Sequence, residues 1–335
     1  MKANNDANLS ATAQPPMAPP NELLALLRDT ASILILGHKN ADGDAVASAA
    51  ALGLIVRHLG NDAHIVLPGD EPAWAQEVPG AEMIAPAPRD VYDAVVAVDC
   101  ANAGRLEELA SLLDGEKPCA EIDHHHDDDR ICDITYVDTT ASAAGVLIYR
   151  IVDALEIPLS ADLATCIYWA IATDTGFFSF SNTTPEAMEI CADAIRAGAE
   201  PQRISGVVKV NSLAHQRLKG QALSNIKLLL EGRLLFSAVE PHDFVVANAA
   251  RKDTEGIVDE MTTIPGPIVY ALFKSVGDEN EWDVSLRSNT LDCTEIAAHF
   301  NGGGHEQASG YHFEGPLQRG RRLLVEAVED ALDHE

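Results

Sequence analysis

The chain has 335 residues, 47% of them hydrophobic, with 52 acids against 23 bases and a formal charge of −29 with histidine neutral. That length and apolar content support two domains and a sizeable core and exclude a disordered chain, while the acidity excludes a protein that grips long nucleic acid through arrays of Lys and Arg. A short anionic substrate stays compatible, because bound divalent ions reverse the local sign; the same charge also serves solubility or reflects an acidic proteome.

The opening MKANNDANLSATAQPPMAPP lacks the apolar core flanked by positive charge that marks a signal peptide, and reads as a disordered tail over residues 1–20. From Asn21 onward NELLALLRD reads as a short helix, SILILG as a buried strand, and AVASAAALGLIVRHLG as a second helix. AHIVLP, AVVAVDC and CAEID follow as strands. Strands alternating with helices point to a parallel α/β sheet. Residues 141 to about 230 read as mostly helical, with ASAAGVLIYRIVDALE, DLATCIYWAIATD and EAMEICADAIRAG. The join falls near residues 198 to 220, where GAEPQRIS starts a helical connector. Strands return with GRLLFSAVE, PIVYALFKS and WDVSLRS; the helix TEIAAHF, a glycine-rich turn and the closing helix PLQRGRRLLVEAVEDALDH complete the chain. No apolar run approaches the ~18 residues that span a bilayer. The six cysteines form no C-x-x-C pair, so buried free thiols in a reducing cytoplasm are expected.

Polar clusters stand where open α/β sheets place their ligands, at the carboxyl ends of strands. HKNADGD offers His38, Asp42 and Asp44, with Gly43 allowing a tight turn; AVVAVDC offers Asp99; EIDHHHDDDR offers Asp123, His124 and His125. AIATDTGFFSFSNTTPEA places Asp174 beyond a buried helix, and Thr183–Thr184–Pro185 begins the next one. Taken singly, His38 reads as a turn residue, D-G-D as a loop, and Asp99 and Asp174 as helix caps. Their joint occurrence at element ends favours one crevice of four carboxylates and two or three imidazoles without cysteine. That donor set suits Mn²⁺, Mg²⁺ or a similar ion better than structural zinc. More than two carboxylates per ion implies a pair of ions, a device ~3.5–4 Å across that serves in-line attack on phosphorus, with Asp99 as the bridging candidate. His126 reads as a bystander, and Asp127, Asp128 and Asp129 as a solvated loop. Near the C-terminus, NGGGHEQASG allows close backbone approach at Gly302, Gly303 and Gly304, and a helix starting there would aim N–H groups at an anion. His305, Arg287 and Ser288 would add charged hydrogen bonds to a phosphate, although a bare glycine run also reads as a plain turn.

Together these segments resemble the DHH/DHHA1 phosphoesterase family, in particular its small bifunctional oligoribonucleases that are also 3′-phosphoadenosine 5′-phosphate (PAP) phosphatases. GHKNADGDAVAS, VDCANAGRL, EIDHHH and ATDTGFFSFSNTT resemble the four motifs of the first domain, and SLRS with GGGHEQASG the signature of the second. The resemblance covers nearly everything from residue 30 to 315. It implies an α/β fold with an N-terminal parallel-sheet DHH catalytic domain over 21–199, a helical connector over 200–219 and a smaller α/β DHHA1 substrate-binding domain over 220–335, the active-site cleft lying between them. It also implies that His38, Asp42 and Asp99 hold one metal ion and Asp44, Asp99, His124 and Asp174 the other. His125 would face the scissile phosphate, Arg105 support the substrate and Asp123 orient the neighbouring histidines. Arg287, Ser288, Gly303, Gly304 and His305 would grip the far end of the substrate. The implied cofactor is a pair of divalent ions, Mn²⁺ first, with Mg²⁺ or Co²⁺ as alternatives. The implied substrates are short oligonucleotides and nucleotide bisphosphates, not long duplexes, for a cytoplasmic enzyme that touches no membrane; a homodimer is left open. Cyclic or linear dinucleotides are the competing substrates, and a non-catalytic nucleotide sensor the competing class. Two departures stand out. Asp128 occupies a position where relatives carry asparagine, and Ala143–Ala144–Gly145–Val146 follows Ser142 where relatives show a Ser-Ser-Thr-Gly-Glu-like stretch.

Overall fold

The apolar runs of the N-terminal half assemble into an all-parallel sheet of five strands: β1 (Ser32–Leu36), β2 (Asp62–Val66), β3 (Ala94–Val98), β4 (Cys119–Asp123) and β5 (Ile134–Val137), ordered β2-β1-β3-β4-β5. The structure, a computed structural model, describes residues 16–333 apart from 70, 73, 90, 114, 116, 126–129, 209–211 and 278–279. Residues 1–15 of the expected tail therefore lie outside the described residues. Both faces of the sheet are covered, so its strands are apolar at every position rather than at alternate ones. Ile33 and Ile35 point into one core and Leu34 and Leu36 into the other, as the two-residue period requires. Each fully buried Leu or Ile contributes roughly 1.5–3 kcal/mol.

The larger core is closed by α1 (Asn21–Asp29), α2 (Gly43–His58), α3 (Ala144–Ala154), α4 (Ala161–Asp174) and α5 (Pro185–Ala197), with α6 (Pro201–Val208) following. The alanine-rich α2 is buried nearly all round, as befits a helix that lies between the sheet and other helices. Its approach to α4 is close enough that a Cβ on Gly43 would stand 2.4 Å from the Thr173 side chain, and one on Gly145 of α3 would meet Ala170 of α4 at 2.6 Å. The small residues thus draw the helix starts that carry Asp44 towards the helix end that carries Asp174. β5 has no counterpart among the strands expected from sequence. Its four residues bury only Tyr136 fully, too short a pattern to register, yet the Tyr136 hydroxyl donates to the Met17 carbonyl at 2.9 Å and ties the segment before α1 to the sheet edge.

The chain divides into two compact units, Met1–Lys209 and Val210–Glu335. The second contains α7 (Leu213–Ser224), β6 (Lys227–Leu229), β7 (Leu234–Val239), α8 (Pro241–Ala247), α9 (Ile257–Met261), β8 (Val269–Ser275), β9 (Glu281–Ser288), α10 (Cys293–Ala298), β10 (Gly303–His305), β11 (Ala308–Glu314) and α11 (Leu317–Asp333). Its sheet runs β10-β11-β9-β8-β7-β6 and is antiparallel except for the β7–β8 pair. One face packs on α10 and α11 through Phe273, Trp282, Leu286 and Phe313. The other packs on α7, α8 and α9 through Leu235, Tyr270 and Leu272.

Two expectations are corrected here. No helix starts at the glycine run: α10 ends at Ala298, and Gly303–His305 forms the short strand β10, which pairs antiparallel with β11. The run is a hairpin arm because Gly304 takes φ +145°, where a side chain is disfavoured, and ASGYHFE behind it alternates as a strand. Nor are all six cysteines free. Cys119 and Cys132 are joined as a disulfide, their Cα atoms 5.2 Å apart, whereas Cys100, Cys166, Cys191 and Cys293 are free and buried. The chain leaving β4 returns beside that strand, with the Ile131 N–H donating to the Glu121 carboxylate. That return brings two distant thiols into bonding range. Among the described residues no helix is long and apolar enough to cross a membrane.

Candidate metal centre

His38 follows β1, and its Nε2 lies 3.8 Å from Asp42 Oδ2 and 3.8 Å from Asp99 Oδ2. Asp42 is the N-cap of α2: its carboxylate accepts the N–H groups of Asp44 and Ala45 at 3.0 and 3.1 Å, which fixes the turn carrying both aspartates. Asp44, in the first turn of α2, accepts from the Ser48 hydroxyl at 2.7 Å and from the Ala144 and Gly145 N–H groups at the start of α3 at 2.6 and 3.1 Å. Asp99 ends β3 in a left-handed conformation, φ +59°, a strained choice for a residue with a side chain that points to a functional demand. His124, after β4, places Nε2 3.4 Å from Asp99 Oδ1, 3.7 Å from Asp44 Oδ2 and 3.9 Å from Asp174 Oδ2.

The donors gather into three overlapping sets, each within 4.8 Å: His38, Asp42 and Asp99; Asp44, His124 and Asp174; and Asp99, His124 and His125. Asp99 joins the first set to the third, and His124 the third to the second. His38 Nε2, His124 Nε2 and Asp99 Oδ1 are buried and have no hydrogen-bond partner among the described residues. Buried polar atoms without partners are costly and rare; His124 Nε2 and Asp99 Oδ1 stand 3.4 Å apart and His38 Nε2 lies 3.8 Å from the other Asp99 oxygen, which describes a place for cations. Three of the four carboxylates respond in the same sense; Asp42 is lowered, because its hydrogen bonds with His38 and the Ala45 N–H outweigh its burial. Burial, reinforced by Asp44 and Asp42, pushes Asp99 well above the usual carboxylate range. Burial and the Asp44 charge push Asp174 up to about 6, and burial raises Asp44. Crowded carboxylates with raised pKa values are what a cation site looks like when only protein charges act on it. The donor chemistry, oxygen-rich with imidazole and no thiolate, fits divalent ions of the Mn²⁺ type.

Asp123 sits in the second layer. Its Oδ1 accepts from the N–H groups of His124 and His125 at 2.7 and 3.0 Å and from His125 Nδ1 at 2.7 Å, and its other oxygen accepts the Ala101 N–H. Although burial opposes it, the His125 contact holds Asp123 down to about 2. The same hydrogen bond raises His125, against its burial. His125 is therefore held by Nδ1, with a ring that is 36% exposed. Arg105 brings its guanidinium to 2.9 Å from His38 Nδ1, an atom that also lies 2.8 Å from the Lys39 carbonyl. In the tautomer that leaves His38 Nε2 free for a cation, Nδ1 carries the proton and donates to Lys39, so Arg105 stands beside the ring without a bond from it.

In the second unit, Arg287 donates from Nε to Asp259 Oδ1 at 2.7 Å. Ser288 points the opposite way, as strand alternation dictates: it is 2% exposed, and its Oγ accepts the N–H groups of Thr290 and Leu291 in the turn after β9. A Cβ on Gly303 would meet nothing within 4 Å, whereas one on Gly304 would strike the Ala308 carbonyl at 2.6 Å. The side chain of His305, and His126, Asp127, Asp128 and Asp129, lie outside the described residues. Sequence reasoning missed the groups that brace the ligands. Asn182 Nδ2 donates to the Asp174 carboxylate and carbonyl, both at 3.2 Å, and to the Ser142 carbonyl at 3.1 Å. The signal was available, an asparagine just before the Thr-Thr-Pro helix start, but Asn is so common before helices that only the fold shows what it holds.

The DHH family N-terminal domain matches residues 32–171, and the DHHA1 domain matches residues 234–334. The chain is 28% identical over 304 residues to the bifunctional oligoribonuclease and PAP phosphatase NrnA of Thermus thermophilus, covering 90% of each. To the protein of the same name from Bacillus subtilis it is 25% identical over 295 residues, covering 86% of this chain and 91% of that one. The crystal structure of an exopolyphosphatase-related protein from Bacteroides fragilis shares the fold, with TM-score 0.82 at 24% identity over 92% of this chain and 95% of that chain.

Proposed function

This chain belongs to the family that joins a DHH N-terminal domain to a DHHA1 domain, and on that premise we propose that it is a metal-dependent phosphoesterase that hydrolyses short oligoribonucleotides to mononucleotides and PAP to AMP and phosphate. The observation that carries the reading is the set of buried, unpartnered atoms, His38 Nε2, His124 Nε2 and Asp99 Oδ1, on side chains gathered with Asp42, Asp44 and Asp174. Relatives named for both activities match along nearly the whole chain, which supports the substrate class.

In this reading His38, Asp42 and Asp99 would hold one divalent cation, and Asp44, Asp99, His124 and Asp174 would hold a second. Mn²⁺ suits that donor set best, with Mg²⁺ and Co²⁺ as alternatives. The pair supplies Lewis-acid chemistry, acidifying water and offsetting charge on the phosphoryl oxygens. The residues do the rest. Asp99 would be shared between the two sites. Asp123 keeps His125 protonated and oriented, so that the exposed ring edge donates to a phosphoryl oxygen as negative charge grows there. Ser48, Asn182 and the first N–H groups of α3 keep the carboxylates from turning away. The water oxygen adds to phosphorus, the bond to the nucleoside oxygen breaks, and that oxygen leaves with a proton. Such substrates arise where RNA is turned over, which supports a cytoplasmic site of action.

The test is a substrate panel with purified protein and Mn²⁺: PAP, RNAs of two to five nucleotides, a 24-mer, pApA and cyclic di-AMP. PAP and the short RNAs are expected to be cleaved fastest. Fastest cleavage of the 24-mer would remove the short-substrate reading, preference for the last two would shift the assignment to a dinucleotide phosphodiesterase, and no release from any substrate would remove the enzyme.

A further inference from the structure

We propose that the Cys119–Cys132 bridge is a reversible thiol–disulfide switch on the cation centre. Closed, it steadies the chain that carries Asp123, His124 and His125; opened by a dithiol, it lowers the affinity of the centre for divalent ions. Such a switch needs the cation centre but not the substrate assigned to it, and so goes beyond the phosphoesterase reading.

The bridge encloses the strand that reaches the centre. Cys119 opens β4 opposite Val95 of β3, and Asp123 ends it; the bonded cysteines are 13 residues apart, with His124 and His125 between them. Alternation puts Cys119, Glu121 and Asp123 on one face of β4, while Ala120 and Ile122 enter the larger core. On that face each residue is tied to chain outside the strand. Cys119 is bonded to Cys132, Glu121 accepts the Ile131 N–H at 3.1 Å, and Asp123 accepts the N–H groups of Ala101, His124 and His125. Glu121 is 4% exposed, and its Oε1 is buried without a hydrogen-bond partner among the described residues. A carboxylate so placed is unfavourable, and the bridge keeps the Ile131 N–H against its other oxygen. Cys132 also stands at the entry to β5, an edge strand of four residues that pairs with β4 from Ala120 to Asp123. So short an edge strand is weakly held by itself. The bridge pins one end of it, and the Asp138 N–H, donating to the Asp123 carbonyl at 3.1 Å, pins the other. Opening the bridge therefore loosens the flank of the residues that orient His124 and His125.

Access singles out the same pair. Cys132 is half-buried, whereas Cys100, Cys166, Cys191 and Cys293 are buried, and burial pushes their thiols up. Thiols held neutral and out of reach do not exchange. Bridges in reducing compartments are characteristically transient and redox-sensing, and Cys132 offers the sulfur that exchange needs. A thiolate of the dithiol attacks Cys132 Sγ, the S–S bond breaks, and Cys119 leaves as a thiolate that takes up a proton. The second thiolate of the dithiol then attacks the first, releasing Cys132 as a thiol and closing the dithiol into a cyclic disulfide. Two electrons and two protons thus pass from the dithiol to the two cysteines. A low-molecular-weight disulfide reverses the change and leaves as two thiols.

The test compares Mn²⁺ binding by the oxidised and reduced full chain. Protein stripped with EDTA is treated with reduced dithiothreitol or oxidised glutathione, desalted without air, and titrated with Mn²⁺ while electron paramagnetic resonance reads the free ion. Mass after alkylation in denaturant should count four thiols in the oxidised chain and six in the reduced one. The oxidised chain should bind Mn²⁺ about tenfold more tightly, in the range for groups that orient ligands. Cys132→Ser should bind like the reduced chain after either treatment, and Cys191→Ser, in α5 and outside the bridge, should keep the full response. The wild-type comparison requires no variant and so decides the matter even if Cys132→Ser does not fold. Equal affinity of the two wild-type forms, a response that persists in Cys132→Ser, or six thiols after oxidation would each overturn the switch and leave the cation centre standing. No binding of Mn²⁺ by either form would remove the switch and the centre together.

Discussion

In the first unit the reactive side chains gather past the carboxyl ends of parallel strands: His38 after β1, Asp99 at the end of β3, Asp123 and His124 at the end of β4. In the second they lie along the face of a mostly antiparallel sheet, at Lys274, Ser285 and Arg287. The difference follows from burial. A parallel sheet packed on both sides has no room for charge within its strands, so polar groups collect where the strands stop. An antiparallel sheet with part of one face uncovered can carry them mid-strand, at every second residue. The charge differs too: carboxylates crowd in the first unit, while in the second the pairs Arg251–Asp283 and Arg287–Asp259 balance each other.

Asp99→Ala should break the comparison most sharply if it is wrong. Losing the carboxylate common to both cation sites should cost about 10³-fold in rate, since a metal ion supplies several kcal/mol of charge stabilisation, with far-UV circular dichroism unchanged. A fully active variant would mean that the chemistry is not at the strand ends.

Next in size is a stability effect confined to the first unit. Asp174 is raised from 3.8 to about 6, so between these values the folded chain holds a proton that the unfolded chain has released. Its contribution is therefore complete below about pH 4 and is lost as pH rises through about 6, by at most about 3 kcal/mol. In EDTA, Asp174→Asn should melt increasingly above wild type as pH rises from 4 to 7, and saturating Mn²⁺ should reverse the order. An Asp174→Asn advantage that shrinks with rising pH would contradict the crowded-carboxylate picture.

Asp123→Asn tests the second layer. Removing the charge that raises His125 should cost about tenfold in rate, in the range for groups that orient ligands, and should move the alkaline limb of the pH–rate profile to lower pH. An unmoved limb would free His125 from that role. The smallest effect distinguishes two adjacent glycines of β10. Gly304→Ala, at φ +145° and against the Ala308 carbonyl, should lose about 1–3 kcal/mol of stability, and Gly303→Ala, in open space, less than about 0.5 kcal/mol; equal losses by chemical denaturation would argue against the hairpin geometry.

Much of this was legible before folding because the signals were local. Unbroken apolar runs ending in Asp or His mark buried parallel strands with polar mouths, and SILIL–GHKNADGD shows both halves of that pattern in one stretch. What escaped depends on through-space neighbours. β5 is too short to carry a period, the Cys119–Cys132 bridge depends on how a loop returns, and the glycine run gives no clue whether helix or strand follows. The alternation in EWDVSLRS could have separated Arg287 from Ser288, since Trp282, Val284 and Leu286 define the inward set to which Ser288 belongs.

The bonds from Ala144 and Gly145 to Asp44 bear on the departure at residues 143–146. Both donors are main-chain amides, which any residue except proline would provide equally well. The anchoring of this ligand is thus written in the backbone path of α3 rather than in its side chains, and the stretch can drift in evolution without loosening the carboxylate it holds. Constraint there falls on shape, set by the close packing of Gly145 on Ala170, and not on chemical identity.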